Sequence, residues 1–318
     1  MKCAALWLLV ALVAVPAPAG EPPPGWQAAL AEGAPLRVRV RPIEIVDGKL
    51  TGLDLAGAWV LSGDHREFGG FSGLIVRDGR LMAVSDQGWW LDARLTRQGD
   101  RLDVADAVMA PMHDAGGDGY SKAGGDAEDL TWGRDGLAVS FERDHRIMRL
   151  GPDGRLGATV HSRAFERFPS NKSLEALAAL PDGDLLVLPE GTDDDAVPVF
   201  RITPADEVTE RSIPRAGIHA VTGADVGPDG RLYLVLRDYT VLLGVSIRVM
   251  RYRLDADGWP VADSGEVLAA FESASGIDNM EGISVERTAD GALWLWLISD
   301  DNFNAVQRTL LMLFAVAE

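Results

Sequence analysis

Cysteine is almost absent from this sequence: the 318 residues include one, Cys3. It lies in the apolar segment that opens the chain, so removal of that segment would leave a protein without a thiol. Disulfide bonds, thiol nucleophiles and cysteine-ligated zinc are therefore excluded for the mature chain. Its chemistry has to come from oxygen and nitrogen groups.

Long apolar runs are also scarce, and the one at the N-terminus has the features of a signal peptide over residues 1–19. A lysine precedes the apolar stretch Ala4–Val15, and small residues follow it. The stretch is too short to span a bilayer. We expect cleavage after Ala19, a linker over residues 20–35 and one domain over 36–318. The mature protein is expected to be soluble, periplasmic or secreted, and without a membrane span.

Positive charge is in short supply as well. The formal net charge is −18, and the four lysines are Lys2, Lys49, Lys122 and Lys172. Such a surface repels nucleic acid and anionic lipid and attracts cations. We therefore expect no nucleic-acid partner. Acidity also keeps exported proteins in solution, so the charge alone does not establish a cation site.

No long amphipathic helix is evident after Ser62. Short runs of valine, leucine and isoleucine alternate with glycine, aspartate and proline, which is typical of all-β proteins. Five segments repeat one pattern, in which two apolar runs flank an Asp-Gly pair and the second run ends near a charge. These pairs recur every 47 to 61 residues and begin at Asp78, Asp135, Asp182, Asp229 and Asp290. This period predicts a single β-propeller with five or six four-stranded blades.

The final repeat needs an outer strand from elsewhere in the chain. Arg308–Val316 is the expected third strand of the last blade, and Leu53–Ser62 is the obvious candidate for its partner. Leu36–Val46 is expected alongside. A ring closed in this way by an N-terminal strand leaves no cut sheet edge.

Specific strings of the sequence resemble a known family. They are Glu175-Ala176-Leu177 with its Pro-Asp-Gly turn, Ser85-Asp86, and above all DDNFNAVQRTLLMLF from Asp300. The chain is similar, from Gly69 to its end, to the "esterase-like activity of phytase" family. The resemblance implies hydrolysis of esters, phosphate esters included, and leaves the catalytic residues open.

Propeller geometry predicts which side chains share a face. The first strand of each blade starts at one face, and the second strand returns to that face after the Asp-Gly turn. The residues that open the first strands are Ser72, Glu128, Glu175, Thr222 and Glu281. The residues that close the second strands are Asp86, Glu142, Glu190, Arg237 and Asp300, followed by Asp301 and Asn302. Carboxylates are therefore expected around one mouth of the channel.

Like charges held close together raise one another's pKa unless a cation neutralises them. Ca²⁺, a hard cation that prefers oxygen ligands, is the simplest candidate. The expected ligands are Glu128, Glu175, Glu281, Asp300 and Asp301. In the alternative interpretation these are solvated carboxylates at strand ends, too far apart to share an ion.

Other side chains of this face are candidates for substrate binding and proton transfer. Lys172 and Arg237 are expected to bind an anionic group, with Asn302 beside them, although Arg237 equally suits a structural salt bridge. The candidate acids and bases are His145, Asp86, Glu142 and Glu190. His145 comes first because its ordinary pKa suits proton transfer near neutrality.

Two functions fit this pattern. The first is a Ca²⁺-assisted hydrolase of phosphate or carboxylate esters of small molecules, with a lactonase-like reaction as a close variant. The second is a non-catalytic propeller that binds a small molecule, a cation or an envelope protein through the same face. The fold does not separate them, because propellers serve both purposes.

Overall fold

The computed structural model describes residues 21–46, 48–121, 124–170, 172, 174–190, 195–240, 242 and 244–317. The predicted signal peptide and its cleavage site lie outside these residues. Within them, no helix has the length and apolar character needed to cross a membrane.

The N-terminal segment packs against the body of the protein. Its elements are α1 (Trp26–Ala29), β1 (Ala34–Pro35), β2 (Val38–Pro42), β3 (Lys49–Leu50) and β4 (Leu53–Gly63). The ring of Trp26 is fully buried and packs edge-on against Trp90, with 5.2 Å between centroids. Its indole Nε1 donates a hydrogen bond to Asp92 Oδ1 at 2.8 Å. The segment predicted as a linker therefore contributes to the core.

Two antiparallel four-stranded sheets follow. The first blade consists of β5 (Phe71–Arg77), β6 (Arg80–Ser85), β7 (Trp89–Gln98) and β8 (Arg101–Pro111), with β1 beside β8. The second consists of β9 (Ala127–Gly133), β10 (Gly136–Phe141), β11 (Arg146–Leu150) and β12 (Leu156–His161). Asp78 and Gly79 connect β5 to β6 with φ of 51° and 74°. Two positive φ values are the geometry of a two-residue type I′ hairpin, as the Asp-Gly pair predicts.

The next two blades have the same order. The third consists of β13 (Ala176–Ala179), β14 (Leu185–Leu188), β15 (Ala196–Ile202) and β16 (Val208–Pro214). The fourth consists of β17 (Ala220–Val226), β18 (Arg231–Thr240), β19 (Gly244–Arg253) and β20 (Glu266–Glu272), with β3 beside β20. Short 3-10 turns at Ala262–Ser264 and Ser273–Ser275 flank β20. Every residue of β14 is buried, because neighbouring blades cover both of its faces.

The fifth blade combines both ends of the chain. It consists of β21 (Asn279–Arg287), β22 (Leu293–Asp300) and β23 (Leu310–Val316), and β4 is hydrogen-bonded to β23 with β2 outside it. The inner strands contact one another in chain order, and β21 contacts β5. The protein is thus a five-bladed propeller, the smaller of the two blade numbers that the repeat allowed.

Space on the propeller axis is limited where the inner strands meet. The residues that follow the five opening positions are Gly73, Asp129, Ala176, Gly223 and Gly282. A Cβ on Gly223 would lie 2.1 Å from the carbonyl oxygen of Glu281 on the next blade. Four of these five positions therefore carry small residues, and Asp129 fills the space they leave.

The Asp129 carboxylate is fully buried and connects three blades. It accepts backbone N–H groups from Leu130 at 2.8 Å, Leu177 at 2.9 Å and Ala224 at 3.3 Å. These amides belong to blades 2, 3 and 4. Asp129 thus satisfies buried donors on the axis, directly after Glu128 in the chain.

Candidate functional site

A cavity of about 360 Å³ lies at the end of the axis where the inner strands begin. It is lined by Ser72, Asp86, Asp126, Glu128, Glu142, Lys172, Glu175, Glu190, Arg237, Glu281, Asp300 and Asn302. Eight of these side chains are carboxylates and two are basic. Ten of the twelve site residues predicted from the sequence therefore lie around one cavity.

Local irregularities of the inner strands help to aim side chains into this cavity. In four blades, one residue of the inner strand has no partner on the second strand, although its two neighbours pair with consecutive residues there. These extra residues are Ser72, Glu128, Thr222 and Glu281. Such a bulge re-aims a side chain and bends the strand. In blade 3, Glu175 reaches the same position because it immediately precedes β13.

The two neutral opening residues bond to neighbouring blades. The buried hydroxyl of Ser72 donates to the carbonyl of Ala127 at 3.1 Å. Thr222 does the same to the carbonyl of Met280 at 3.2 Å. These two side chains hold adjacent inner strands together, and carboxylates occupy the remaining three opening positions.

Arg237 joins two acids of the cavity. Its guanidinium lies 3.1 Å from Glu190 Oε1 and 3.1 Å from Glu281 Oε1. It also donates a hydrogen bond to the side-chain oxygen of Asn279, whose amide nitrogen donates to Glu281 Oε1 at 2.8 Å. On the side of blades 3 to 5, the positive charge of Arg237 therefore balances part of the negative charge of the cavity acids.

The blade 2 side has a different charge balance. Ligand atoms of Asp126, Glu128 and Glu142 all lie within 4.8 Å of one another. Arg143 forms an ion pair with Asp126 from the rim, where half of the arginine side chain is exposed. Three carboxylates thus share this corner, and Arg143 is the arginine that pairs with them among the residues that the structure describes.

Asp126 was missed by the sequence prediction. It lies two residues before the opening residue Glu128, and Asn279 has the same position relative to Glu281. Both side chains take part in the site. The signal that could have found them is the alternate-residue spacing, which places i and i+2 on one side of a strand.

Burial and mutual repulsion raise the pKa values of the cavity acids. The pKa values of Glu128, Glu175 and Asp300 lie well above the ordinary range, first because burial disfavours the charged form and then because of neighbouring carboxylates. Burial raises the pKa of Glu142 to about 7, with Asp126 contributing. Burial also raises the pKa of Glu281 to about 7, although Arg237 opposes it. Without a bound cation, these acids therefore keep their protons to a higher pH than exposed carboxyl groups do.

Asp301, a predicted ligand, is not among the described residues that line the cavity. Its carboxylate accepts hydrogen bonds from the amides of Gly70 at 3.0 Å and Phe303 at 3.1 Å. The hydroxyl of Thr309 donates to its other oxygen at 2.9 Å. These contacts connect blade 5 to the entrance of blade 1.

His145, the first candidate acid or base, also lies outside the lining that the structure describes. It occupies the turn between β10 and β11 with φ of 43°, and its backbone N–H donates to the backbone carbonyl of Glu142 at 3.1 Å. Its position is thus that of a turn residue behind Glu142.

Lys172 is the exposed basic residue of the cavity. It makes no ion pair with the described part of the chain, whereas Arg237 makes two. An ammonium group without a carboxylate partner is available to an anionic ligand.

Residues 66–303 match the phytase-like family, described as esterase-like activity of phytase. This match spans all five inner strands and all of the cavity lining. The chain belongs to this phytase-like family. No curated protein is similar enough in sequence to match it.

Several solved structures are similar to this chain at low sequence identity. A gluconolactonase from Xanthomonas campestris is 13% identical with a TM-score of 0.46, covering 88% of this chain and 99% of that one. An α-L-arabinofuranosidase from Podospora anserina is 13% identical with a TM-score of 0.48, covering 80% and 93%. The PQQ-bound aldose sugar dehydrogenase from Streptomyces coelicolor is 16% identical with a TM-score of 0.39, covering 89% and 100%.

Proposed function

We propose that this phytase-like protein is an exported, metal-assisted hydrolase of small phosphate or carboxylate esters. The observation that carries the proposal is the cavity of about 360 Å³ with eight carboxylates at the open end of the propeller axis. Family membership supports ester hydrolysis. The leader-like segment over residues 1–19 supports the export part of the proposal.

The donor set suits a hard divalent cation. It consists of carboxylate oxygens, three of which come within 4.8 Å of one another at Asp126, Glu128 and Glu142. We place the cation here and not among Glu175 and Glu281, because Arg237 already balances charge on that side. Ca²⁺ is the first choice. A bound divalent cation would polarise the ester and lower the pKa of a coordinated water.

The remaining side chains orient the ester and move protons. Lys172 and Arg237 bind the anionic part of the substrate, and Asn302 offers an amide at the rim. Glu175, whose pKa is raised by burial, keeps a proton that it donates to the departing oxygen. Water supplies the oxygen that bonds to the acyl carbon or the phosphorus and gives its proton to Asp86, a carboxylate of the cavity lining. The bond to the alcohol oxygen breaks, and that oxygen takes the proton of Glu175.

Calorimetric titration with Ca²⁺ tests the cation site directly. We expect binding to the chelator-treated protein, and about 100-fold weaker binding for the double variant Glu128→Gln/Glu142→Gln, because two charged ligands become neutral. Asp103→Asn, an exposed acid on the outer strand of blade 1, is the matched control and should bind as the wild type does. Equal affinity in all three proteins would contradict the site.

A screen of chromogenic phosphate and acyl esters, with Ca²⁺ or with chelator, tests the hydrolase. Turnover that requires Ca²⁺ and is lost in the double variant supports the proposal. Tight Ca²⁺ binding without turnover of any ester would contradict catalysis and favour a propeller that binds a small molecule or a partner protein.

A further inference from the structure

A larger cleft, of about 1510 Å³, adjoins the carboxylate cavity on the side of blades 3 to 5. One wall is the hairpin of β18 and β19, in which β18 continues for three residues past Arg237. The loop between β22 and β23 contributes another part of the lining. The cleft and the cavity share Lys172, Glu190, Arg237 and Asn302, so a single ligand can occupy both.

The charge balance of the cleft is opposite to that of the cavity. Its lining contains five basic residues and three acidic ones, in a protein with a formal net charge of −18. The basic residues are Arg167, Lys172, Arg215, Arg237 and Arg308. Three of the arginines are paired with carboxylates: Arg167 with Glu210, Arg237 with Glu190 and Glu281, and Arg308 with Asp278. Lys172 makes no ion pair with the described residues, so it is the group that we expect to attract an anion.

Two of these arginines are held in place by the protein. Arg167 donates to both carboxylate oxygens of Glu210, at 2.9 and 2.6 Å. Arg308 lies 3.4 Å from Asp278 Oδ2 and donates to the carbonyl of Gly276 at 2.9 Å. Their positions are therefore set before a ligand arrives, which lowers the entropic cost of binding.

The cleft is also bordered by apolar side chains that point into solvent. Ile218 is 66% exposed, Tyr239 is 63% exposed and Val306 is 84% exposed, and all three line the cleft. Exposed apolar residues gathered around one concave surface mark a binding site. They come from the loop before β17, the β18 hairpin and the β22–β23 loop, so three separate segments bring apolar groups to one place.

We propose that this cleft binds an amphiphilic anion, and that the substrate is an ester in which an apolar group carries a carboxylate, phosphate or sulfate. The charged substituent lies near Lys172, and the apolar part lies against Ile218, Tyr239 and Val306. The ester bond then reaches past Arg237 to the carboxylates of the cavity. The assignment of an ester rests on the proposed function, whereas binding of the amphiphilic anion does not.

The probe for this site is 8-anilinonaphthalene-1-sulfonate, an apolar aromatic anion that fluoresces on leaving water. Titration in the presence of chelator should show saturable binding to the wild type. The double variant Ile218→Ser/Val306→Ser should bind about tenfold more weakly, because it removes apolar contact area. Lys172→Ala should weaken binding by a factor of about three to ten and reduce its sensitivity to salt.

Val267→Ser is the matched control. Val267 is an apolar residue of β20 that is 39% exposed and lies outside the cleft lining, so its replacement should leave probe affinity unchanged. The thermal midpoints of all variants should agree, which separates loss of the site from loss of folding. Affinity that is unchanged in the Ile218→Ser/Val306→Ser variant, or equally reduced in the control, would overturn the proposal.

Competition identifies the ligand class. Octyl sulfate should displace the probe, whereas inorganic sulfate and octanol at the same concentration should not. Displacement by octanol would show that the cleft binds apolar groups without a charge. That result would contradict the proposed contact between an anionic substituent and Lys172. Because no Ca²⁺ and no turnover are involved, failure of the ester screen leaves this result intact, and the reverse holds as well.

Discussion

At the scale of single residues, the axis depends on one carboxylate. Asp129 is the acidic member of five equivalent positions, and its neighbours there are three glycines and an alanine. Burial raises its pKa, while the three amides that it accepts oppose the shift. Its oxygens satisfy backbone donors that water does not reach, so its contribution concerns stability and not chemistry at the mouth.

Replacing Asp129 should therefore destabilise the propeller in a graded way. Asp129→Ala leaves the amides of Leu130, Leu177 and Ala224 without an acceptor, at roughly 1–3 kcal/mol for each buried group. We expect a loss of at least about 3 kcal/mol in the free energy of unfolding, measured by urea denaturation at constant slope. Asp129→Asn keeps one acceptor oxygen and should lose less. Wild-type stability in both variants would show that these amides find other partners.

At the scale of elements, the inner strands place the site. In four blades, the strand pairing shifts at the opening position, so one residue there departs from the regular alternation of side chains between the two faces of the sheet. In two of those blades that residue is a glutamate. Close packing follows directly behind it, since Gly223 approaches the backbone of Glu281. The direction in which the Glu281 side chain points thus depends on the absence of a side chain at Gly223 on the neighbouring blade.

Gly223→Ala tests this dependence. The added Cβ would lie 2.1 Å from the carbonyl oxygen of Glu281, so one of the two strands has to move. Overpacking of this kind costs roughly 1–3 kcal/mol in the free energy of unfolding, measured by urea denaturation. Gly119→Ala is the control, because the nearest atom to its Cβ is 4.0 Å away. Equal stability of the two variants would contradict the close approach.

At the scale of the whole molecule, acidity is concentrated at one end of the axis. The pKa values of Glu142 and Glu281 are raised from 4.5 to about 7, so the folded chain binds more protons than the unfolded chain between these pH values. Without metal, the free energy of unfolding therefore falls as pH rises through this window. The slope contributed by each proton is at most about 1.4 kcal/mol per pH unit.

This linkage predicts how stability responds to pH and metal. In chelator, the wild type should lose stability between pH 4.5 and 7 relative to Glu142→Gln/Glu281→Gln, which lacks both titrating groups. Added Ca²⁺ should raise the thermal midpoint of the wild type more at pH 8 than at pH 5, because protons compete with the cation. Thermal unfolding across this range measures both effects. Parallel pH profiles for wild type and variant would contradict the raised pKa values.

Much of this architecture is determined by the sequence alone. The spacing of the Asp-Gly pairs indicates a propeller, because each pair marks a tight turn whose glycine takes a positive φ, which needs little beyond local chemistry. The repeat also identifies the carboxylates that share the mouth, since the positions that open one strand and close the next return to one face. Glu128, Glu142, Glu175 and Glu281 could be placed in this way without coordinates.

Other features were decided by the tertiary structure. Blade number depends on how five sheets pack around an axis, and a period near fifty residues fits more than one ring. The separate roles of Asp126, beside Glu128, and of Asp301, turned towards Gly70 and Thr309, depend on side-chain direction across blades. So does the pairing of Arg237 with Glu190 and Glu281. A sequence repeat records which residues reach a face, whereas the distances between blades determine which of them meet.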